Sequence, residues 1–342
     1  MSTTAILVAS IVVTRHYAAS GSALGQVLVG GGLLALFWQQ CGWLAHDFAH
    51  HQVFRFNRSL NDAVVLLVGN LYQGFSLEWW KNKHNTHHAI PNLLESSEGA
   101  HDGDPDIDTL PFLAWSVEMA KKAGPSPPSM LYWQAFLYFP ILLFARLTWA
   151  MQSAAYVFKF DAGMFDNSEI LVAQKLAGAA SPQGVRLRYE SWEKALLVAH
   201  YAGCCAVCLG NTSSLALGLA HFLVAQTGCG ILLAVAFGVG HNGMTIHSPG
   251  TRPGFARLQC ETTRNVDNDF LGLTGWFMGG LHLQIEHHLF INVPRHNLAR
   301  LSPWVKELCT RHGVTYHSTS LLKGTAEVLG CLSEVVKSFP AN

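Results

Sequence analysis

Three short windows of the sequence are rich in histidine and share one spacing. They read HDFAHH (residues 46–51), HNTHH (84–88) and QIEHH (284–288), and together they hold eight of the eighteen histidines. On a helix, residues three or four positions apart lie on one face. Each window can therefore direct its side chains into one volume. The residues related by three or four positions are His46 with His50, His84 with His87 and His88, and Gln284 with His287 and His288.

Imidazole clusters of this kind are typical of metal sites. A structural zinc ion takes four protein ligands, and a catalytic one usually takes three and a water. The seven histidines at these positions, with Gln284 as a further candidate, exceed either number and predict two metal ions. Imidazole suits iron, copper, nickel and zinc alike, so the ligands leave the metal open. His51 points about 100° away from His50 on a helix, and we keep it as an alternate ligand.

The composition predicts that this metal chemistry takes place at a membrane. Only 13% of the residues are charged, half are hydrophobic, and the mean hydropathy is +0.22. A soluble domain carries charge on about a quarter of its residues. Four apolar stretches are predicted to cross the bilayer, where roughly 20 residues are needed; they are 3–19, 21–45, 194–210 and 214–240. The predicted fold is an all-α integral membrane protein with about four transmembrane helices plus interfacial helices, in a single membrane domain over residues 1–342.

The three windows can cooperate only if they lie on one side of the membrane. Residues 61–80 and 131–149 are apolar but interrupted, the first by Gly69, Asn70, Gln73 and Gly74, the second by Pro140 and Arg146. We therefore predict that both are interfacial or re-entrant, a depth that suits Trp79 and Trp80. Basic residues between 155 and 194 predict a cytosolic segment; they are Lys159, Lys175, Arg186, Arg188 and Lys194.

This topology puts all three windows in the cytosol and adds one more candidate ligand. His241 ends the last predicted crossing and would emerge beside the metal volume, with Asn242 as the fallback. A lone histidine at a helix end is often only a partner of the helix dipole.

Other functional classes fit the sequence poorly. The formal net charge is zero, which leaves no basic surface suited to nucleic acid. Cys204, Cys205, Cys208 and Cys229 lie in apolar segments and are predicted to be small buried hydrophobic residues rather than a metal site or disulfides. The start of the chain lacks the basic region of a signal peptide.

At this point the motifs resemble a known family. HDFAHH, HNTHH and QIEHH, together with GDPDIDTLP (103–111) and TTRN (262–265), are similar to motifs of the membrane fatty-acyl desaturases. Glutamine at the start of the third window resembles the front-end subgroup, which inserts a double bond between an existing one and the carboxyl end. The similarity runs from about residue 42 to 328.

The resemblance implies O2-dependent front-end desaturation of an acyl-CoA or acyl-lipid at a di-iron centre, in polyunsaturated lipid biosynthesis. It implies two electrons from cytochrome b5 or ferredoxin, and an endoplasmic-reticulum membrane in a eukaryote or a plasma or thylakoid membrane in a bacterium. The implied iron ligands are His46, His50, His84, His87, His88, His241, Gln284, His287 and His288.

Two features depart from the family pattern. No HPGG motif of a fused cytochrome b5 domain occurs in these residues, so the donor is a separate protein or the sequence lacks an N-terminal part. Ile291 and Asn292 stand where the family commonly has proline after HHLF.

Residues around the windows are candidates for orienting the ligands. A ligating imidazole usually donates its other N–H to a carboxylate or carbonyl. Asp47, Glu286 and the acidic run Asp102, Asp104, Asp106 and Asp108 could accept such bonds, although Glu286 could face outward and the acidic run could be a solvated loop. Lys81 and Lys83 are predicted to anchor the chain at the lipid interface or to contact a substrate phosphate.

Two rival functions remain. A di-iron lipid hydroxylase would share the windows and differ only in the fate of oxygen. A zinc-dependent membrane hydrolase would need about three histidines and a water, fewer than are present. A transporter would want clustered ligands within the crossings, whereas His200 and His221 lie there unclustered and the clusters lie at the ends.

Overall fold

The computed structural model describes residues 2–97, 100, 102–124, 128–160, 184–251 and 253–339. The predicted all-α class is confirmed, because helices carry nearly all the regular structure and the strands in the described ranges are two residues long each. In chain order the elements are α1 (Ser2–Ala19), α2 (Gly25–Ala49, with a π-helical start at Gly25–Gly30), α3 (Arg58–Val65, continued by the π-helix Leu66–Gln73), α4 (Leu77–Ala89), α5 (Val117–Lys122), α6 (Ser129–Tyr132), α7 (Gln134–Leu142), α8 (Ala145–Phe158), α9 (Glu190–Asn211), α10 (Leu215–His241), α11 (Phe255–Thr262), β1 (Asn265–Val266), α12 (Leu273–Phe277), α13 (Gln284–Leu289), α14 (Arg295–Arg311), β2 (Ser318–Thr319) and α15 (Leu321–Lys337).

Among the described residues, three helices are long and apolar enough to cross a membrane: α2, α9 and α10. They coincide with three of the four predicted crossings. The fourth, 3–19, forms a helix whose apolar part, Thr3–Ala19, is shorter than the other three. On α10, Leu215, Leu219 and Leu223 are 66%, 53% and 61% exposed at helical spacing. A row of exposed leucine side chains on one helix face is typical of a surface that contacts lipid.

The segment 131–149 does not form one straight helix. Helices α7 and α8 bend by 62° at the break between them, a geometry that fits a broken span or a re-entrant loop. Its predicted interfacial or re-entrant position therefore stays a prediction. Of the basic residues used to orient the chain, Lys175 lies outside the described residues.

The chain forms two compact units, the first from Met1–Asn82 and Leu142–Ala234, the second from Lys83–Ile141 and Val235–Asn342. The first unit contains α1, α2, α3, α8 and α9. The second unit contains the acidic run and everything from α11 to α15. The prediction of a single membrane domain is untested by this division.

In the first unit, buried polar side chains hold the end of the π-helix that follows α3. A helix ends with carbonyl groups that lack partners, and in an apolar setting each needs one. His200 on α9 lies 2.9 Å from the Leu71 carbonyl oxygen through Nδ1, and Arg146 on α8 donates to the Gln73 carbonyl. Arg146 also stacks on the Trp38 ring, 3.8 Å from its centroid. Two other helices therefore fix the end of this segment.

The chain turns sharply after that π-helix. Gly74 has φ of 91°, and a Cβ there would lie 2.4 Å from Nε2 of His200, so the turn requires glycine. The Asn70 side chain then accepts from the Leu77 backbone and donates to Glu193. These contacts set the start of α4, the helix that carries the second histidine window.

The cysteine prediction is confirmed in part. All eight cysteines are free, and Cys204, Cys208 and Cys229 are buried. Cys205 is exposed instead, because it points about 100° away from Cys204 around α9.

Candidate metal centre

The first window lies at the end of α2 in the first unit. His46 is within the helix and His50 follows its last residue, where the His50 backbone N–H still bonds to the His46 carbonyl at 3.0 Å. The two rings therefore stay one turn apart, with centroids separated by 4.5 Å. Trp80 packs edge-on against both rings, at 5.5 and 5.4 Å, and both histidines are buried. The predicted helical pairing of His46 with His50 is confirmed.

The second and third windows meet in the second unit. His84, His87 and His88 project from α4, and His287 and His288 from α13, and His241 ends α10. Their ligand atoms form two groups, each with all its members within 4.8 Å of one another. One group comprises His84, His88 and His287, and the other His87, His241 and His288. Every one of these side chains is at most 7% exposed.

The nitrogen separations match those of ligands around a shared ion. Nε2 of His84 lies 3.1 Å from Nε2 of His88, and Nε2 of His87 lies 3.3 Å from Nε2 of His241. Two nitrogens at 2.0–2.1 Å from one metal are about 2.9–3.4 Å apart at tetrahedral or right angles. The residues present therefore fit a pair of metal ions.

Gln284 lies beside the second of these groups. Its side-chain amide lies 2.7 Å from Nε2 of His241, and it is buried at the start of α13. Asn242, the fallback ligand, is directed elsewhere. Its side-chain amide nitrogen lies 3.5 Å from the Tyr138 hydroxyl, and its backbone carbonyl accepts from Arg264.

Asp104, one of the acidic run, orients His87. Its two carboxylate oxygens lie 3.0 and 2.9 Å from Nδ1 of His87, so this nitrogen carries the proton and Nε2 is left to face His241. Burial alone would lower the pKa of His87, but Asp104 and Asp106 outweigh it and raise that pKa above its ordinary value. Asp104 is 3% exposed, so the alternative of a solvated loop is wrong at this position.

The third window is held by the asparagine of the TTRN motif. Asn265 accepts from the Ile285 backbone N–H at 2.9 Å and donates to the Glu286 carboxylate at 2.7 Å. The Tyr316 hydroxyl donates to the same carboxylate at 2.7 Å. Glu286 is fully buried, so the expectation that it could face outward is wrong; it anchors α13 because residue 286 points away from the face that carries the histidines.

His51 takes part in a different set of contacts in the first unit. Its φ is 56°, which turns the chain out of the helix, and its Nε2 lies 3.2 Å from Asp62 and 3.0 Å from the Lys81 ammonium. Lys81 also pairs with Asp62. Asp47 is 3.6 Å from Nδ1 of His46, an ion-pair distance that is longer than a hydrogen bond.

The lysines predicted to contact lipid bond within the protein. Lys81 is paired with Asp62, and Lys83 donates to the Pro105 carbonyl at 2.8 Å and lies 3.3 Å from Asp106. Lys83 thereby ties α4 to the acidic run in the second unit.

Sequence reasoning missed two residues of this site. Asn92 donates to the His241 carbonyl at 3.2 Å, and Gln259 contacts His88 and His288. Gln259 stands three residues before Thr262 and so shares a helix face with the TTRN motif, a signal that could have found it.

Comparison with known proteins gives one consistent result. The model of the fatty acid desaturase family matches residues 24–320. The chain is 36% identical to the Acyl-lipid (9-3)-desaturase of Physcomitrium patens over 92% of its length, and 36% identical to the Delta(6)-fatty-acid desaturase fat-3 of Caenorhabditis elegans over 93%. It is 33% identical to the Delta(8)-fatty-acid desaturase of Euglena gracilis over 85%.

These relatives are longer proteins. The chain spans 54%, 67% and 63% of their respective lengths. Since the family model covers most of the chain and includes all three histidine windows, the resemblance noted from the motifs is confirmed: this protein belongs to the fatty acid desaturase family of membrane enzymes.

Proposed function

We propose that the chain catalyses O2-dependent front-end desaturation of a fatty-acyl chain at a histidine-ligated di-iron centre. The observation that carries the proposal is the pair of histidine groups in the second unit, each a set of three buried imidazoles with converging nitrogens. The relatives named as Delta(6) and Delta(8) desaturases support the front-end position.

The ligand assignment follows the two groups. One iron would be held by His84, His88 and His287. From the resemblance of the motifs we propose that His46 and His50 are iron ligands as well. The other would be held by His87, His241 and His288, with Gln284 as the remaining donor. The ligand sets proposed for the two irons rest on the helical spacing of the histidine windows and on the burial of every ring. His51 is left as a partner of Asp62.

The reaction needs the metal because no side chain can break an unactivated methylene C–H bond by acid–base chemistry. Iron held by these residues would supply the oxidising power, drawn from O2 and two electrons of the donor protein. The residues of the chain fix and shield the site. Asp104 keeps the Nδ1 proton of His87, which leaves Nε2 as an electron-pair donor. Burial of the rings keeps water from the ligands, and two adjacent substrate carbons must be aligned with the site.

The partners follow from the same proposal. The substrate is an acyl-CoA or an acyl lipid, and the electrons come from a separate or fused cytochrome b5, or from ferredoxin. In a eukaryote the protein would lie in the endoplasmic-reticulum membrane with its histidine windows in the cytosol.

Yeast that expresses the chain, fed one polyunsaturated acid at a time, tests the proposal through its fatty-acid profile. We expect a new double bond on the carboxyl side of the existing ones. His287→Ala should abolish the product, whereas His312→Gln, a change at an exposed histidine outside both groups, should keep it. The two variants separate loss of the site from loss of any histidine.

Other outcomes would overturn the proposal. A hydroxylated product would indicate the di-iron hydroxylase. Hydrolytic activity with zinc would indicate the membrane hydrolase. If no product forms even with a cytochrome b5 domain fused before Met1, although the protein is expressed and carries iron, front-end desaturation is wrong.

A further inference from the structure

One side chain of α11 contacts both the second and the third histidine window. Gln259 is fully buried in the second unit. Its Nε2 donates to the backbone carbonyl of His88 at 3.0 Å, and its Oε1 lies 2.8 Å from Nδ1 of His288.

These two contacts fix the orientation of the amide. The His88 carbonyl oxygen can only accept, so the amide nitrogen must face it. The amide oxygen must then face Nδ1 of His288, and since that oxygen can only accept, Nδ1 must carry the proton. One backbone carbonyl thereby decides a side-chain orientation that electron density alone seldom distinguishes.

The orientation in turn fixes the tautomer of His288. An imidazole that binds a metal ion is neutral and carries a single ring proton. With that proton on Nδ1, Nε2 presents a lone pair. This atom is buried and has no hydrogen-bond partner among the described residues. The ring lies beside His87 and His241, with centroids 5.0 and 4.6 Å away.

Gln259 is itself held in place by the core of the second unit. The next residue, Cys260, packs in a buried cluster with Ile285, which lies between Gln284 and Glu286 on α13. Thr263 donates to the Gln259 backbone carbonyl. Helix α11 therefore packs against α13, the helix that carries His288.

We propose that Gln259 is a positioning residue, which joins the second and third windows and turns Nε2 of His288 toward the metal. The inference rests on the proposed metal centre. The Gln259–His288 contact differs from the Asp104–His87 contact in one respect. Gln259 is neutral, so it orients the His288 ring without adding negative charge.

The test is a titration of the purified, metal-free full chain with Co²⁺, followed by visible absorption. Gln259→Leu removes both hydrogen bonds at similar volume. We expect it to weaken the binding of at least one ion by about 10–100-fold, the usual effect of losing an orienting partner of a ligand. Gln259→Glu keeps an acceptor for Nδ1 and should retain tighter binding than Gln259→Leu, with a shifted absorption band, since the partner of His288 becomes anionic.

Gln134→Leu is the matched control. Gln134 is also fully buried in the second unit and also joins two segments, through the Ala114 backbone N–H and the Leu332 carbonyl, both at 2.9 Å. It contacts no histidine in these bonds. We expect this variant to lose stability while it keeps the Co²⁺ affinity of the wild type.

Four results would overturn the inference. Gln259→Leu could bind Co²⁺ as the wild type does, or Gln134→Leu could weaken binding equally. If Gln259→Leu does not fold, Gln259→Glu replaces it in the test. A Gln259→Glu variant with the absorption band and the Co²⁺ affinity of the wild type would also overturn the inference. A wild-type protein that binds no Co²⁺ would instead refute the metal centre itself, and the inference with it.

Discussion

Replacement of Asp104 by asparagine tests whether the carboxylate orients a metal ligand. Its two oxygens accept more than the His87 contact: the Asn92 backbone N–H bonds to Oδ2 at 2.7 Å and the Asp106 N–H to Oδ1 at 2.9 Å. Asparagine offers one acceptor oxygen, so its NH2 group must face one of these N–H donors. The variant therefore removes a charge from His87 and leaves a buried backbone donor without a partner.

The two effects have separate magnitudes. Loss of an orienting partner lowers metal affinity by about 10–100-fold, equivalent to about 1.4–2.7 kcal/mol. A buried donor without a partner costs about 1–3 kcal/mol of folding free energy. Because the second cost does not depend on metal, we expect the metal-free variant to unfold at a lower temperature than the metal-free wild type.

Co²⁺ titration and thermal unfolding of the metal-free protein measure the two effects. Asp269→Asn is the matched control, because the Asp269 carboxylate also accepts from backbone N–H groups, those of Leu271, Leu273 and Thr274. It should lose stability and keep metal affinity. The reasoning is refuted if Asp104→Asn binds Co²⁺ as tightly as the wild type, or if Asp269→Asn weakens binding as much.

Two further predictions concern the first unit. Arg146→Leu should lower the free energy of unfolding by about 3 kcal/mol or more, since it leaves the Gln73 carbonyl and the Gln226 amide oxygen buried without their donor. Thermal unfolding in detergent measures this loss. A loss below about 1 kcal/mol would contradict the prediction. Burial would raise the pKa of Asp62, but Lys81 outweighs it and lowers that pKa from its ordinary 3.8. This carboxylate therefore stabilises the fold above about pH 3.8, and its contribution is lost as the pH falls through the lowered pKa. Acid unfolding followed by circular dichroism should begin at higher pH in Lys81→Met, and identical profiles would contradict the prediction.

Local features of the sequence predicted most of the elements. Composition and run length predicted α2, α9 and α10 as long apolar helices, because the length of such a run is a property of consecutive residues. Spacing predicted the shared face of His46 with His50 and of His84 with His88, because a helix repeats every 3.6 residues. Helix α2 continues through the first window to Ala49, as the predicted helical pairing of His46 with His50 requires.

The partners of the ligands depended on tertiary structure. Asp104 and Glu286 were both reasonable orienting carboxylates in the sequence, yet only Asp104 contacts a histidine, while Glu286 bonds to Asn265 and Tyr316. Gln259 lies 171 positions from His88 in the chain, and no local pattern links residues so far apart.

The sequence by itself determined that imidazoles recur at helical spacing beside apolar helices, since residue type and period are properties of consecutive positions. Only the tertiary structure decided that the histidines of α4, α10 and α13 sort into two groups of three, and which nitrogen of each ring is turned inward. Those choices follow from hydrogen bonds between distant segments, and such bonds form only once the helices have packed.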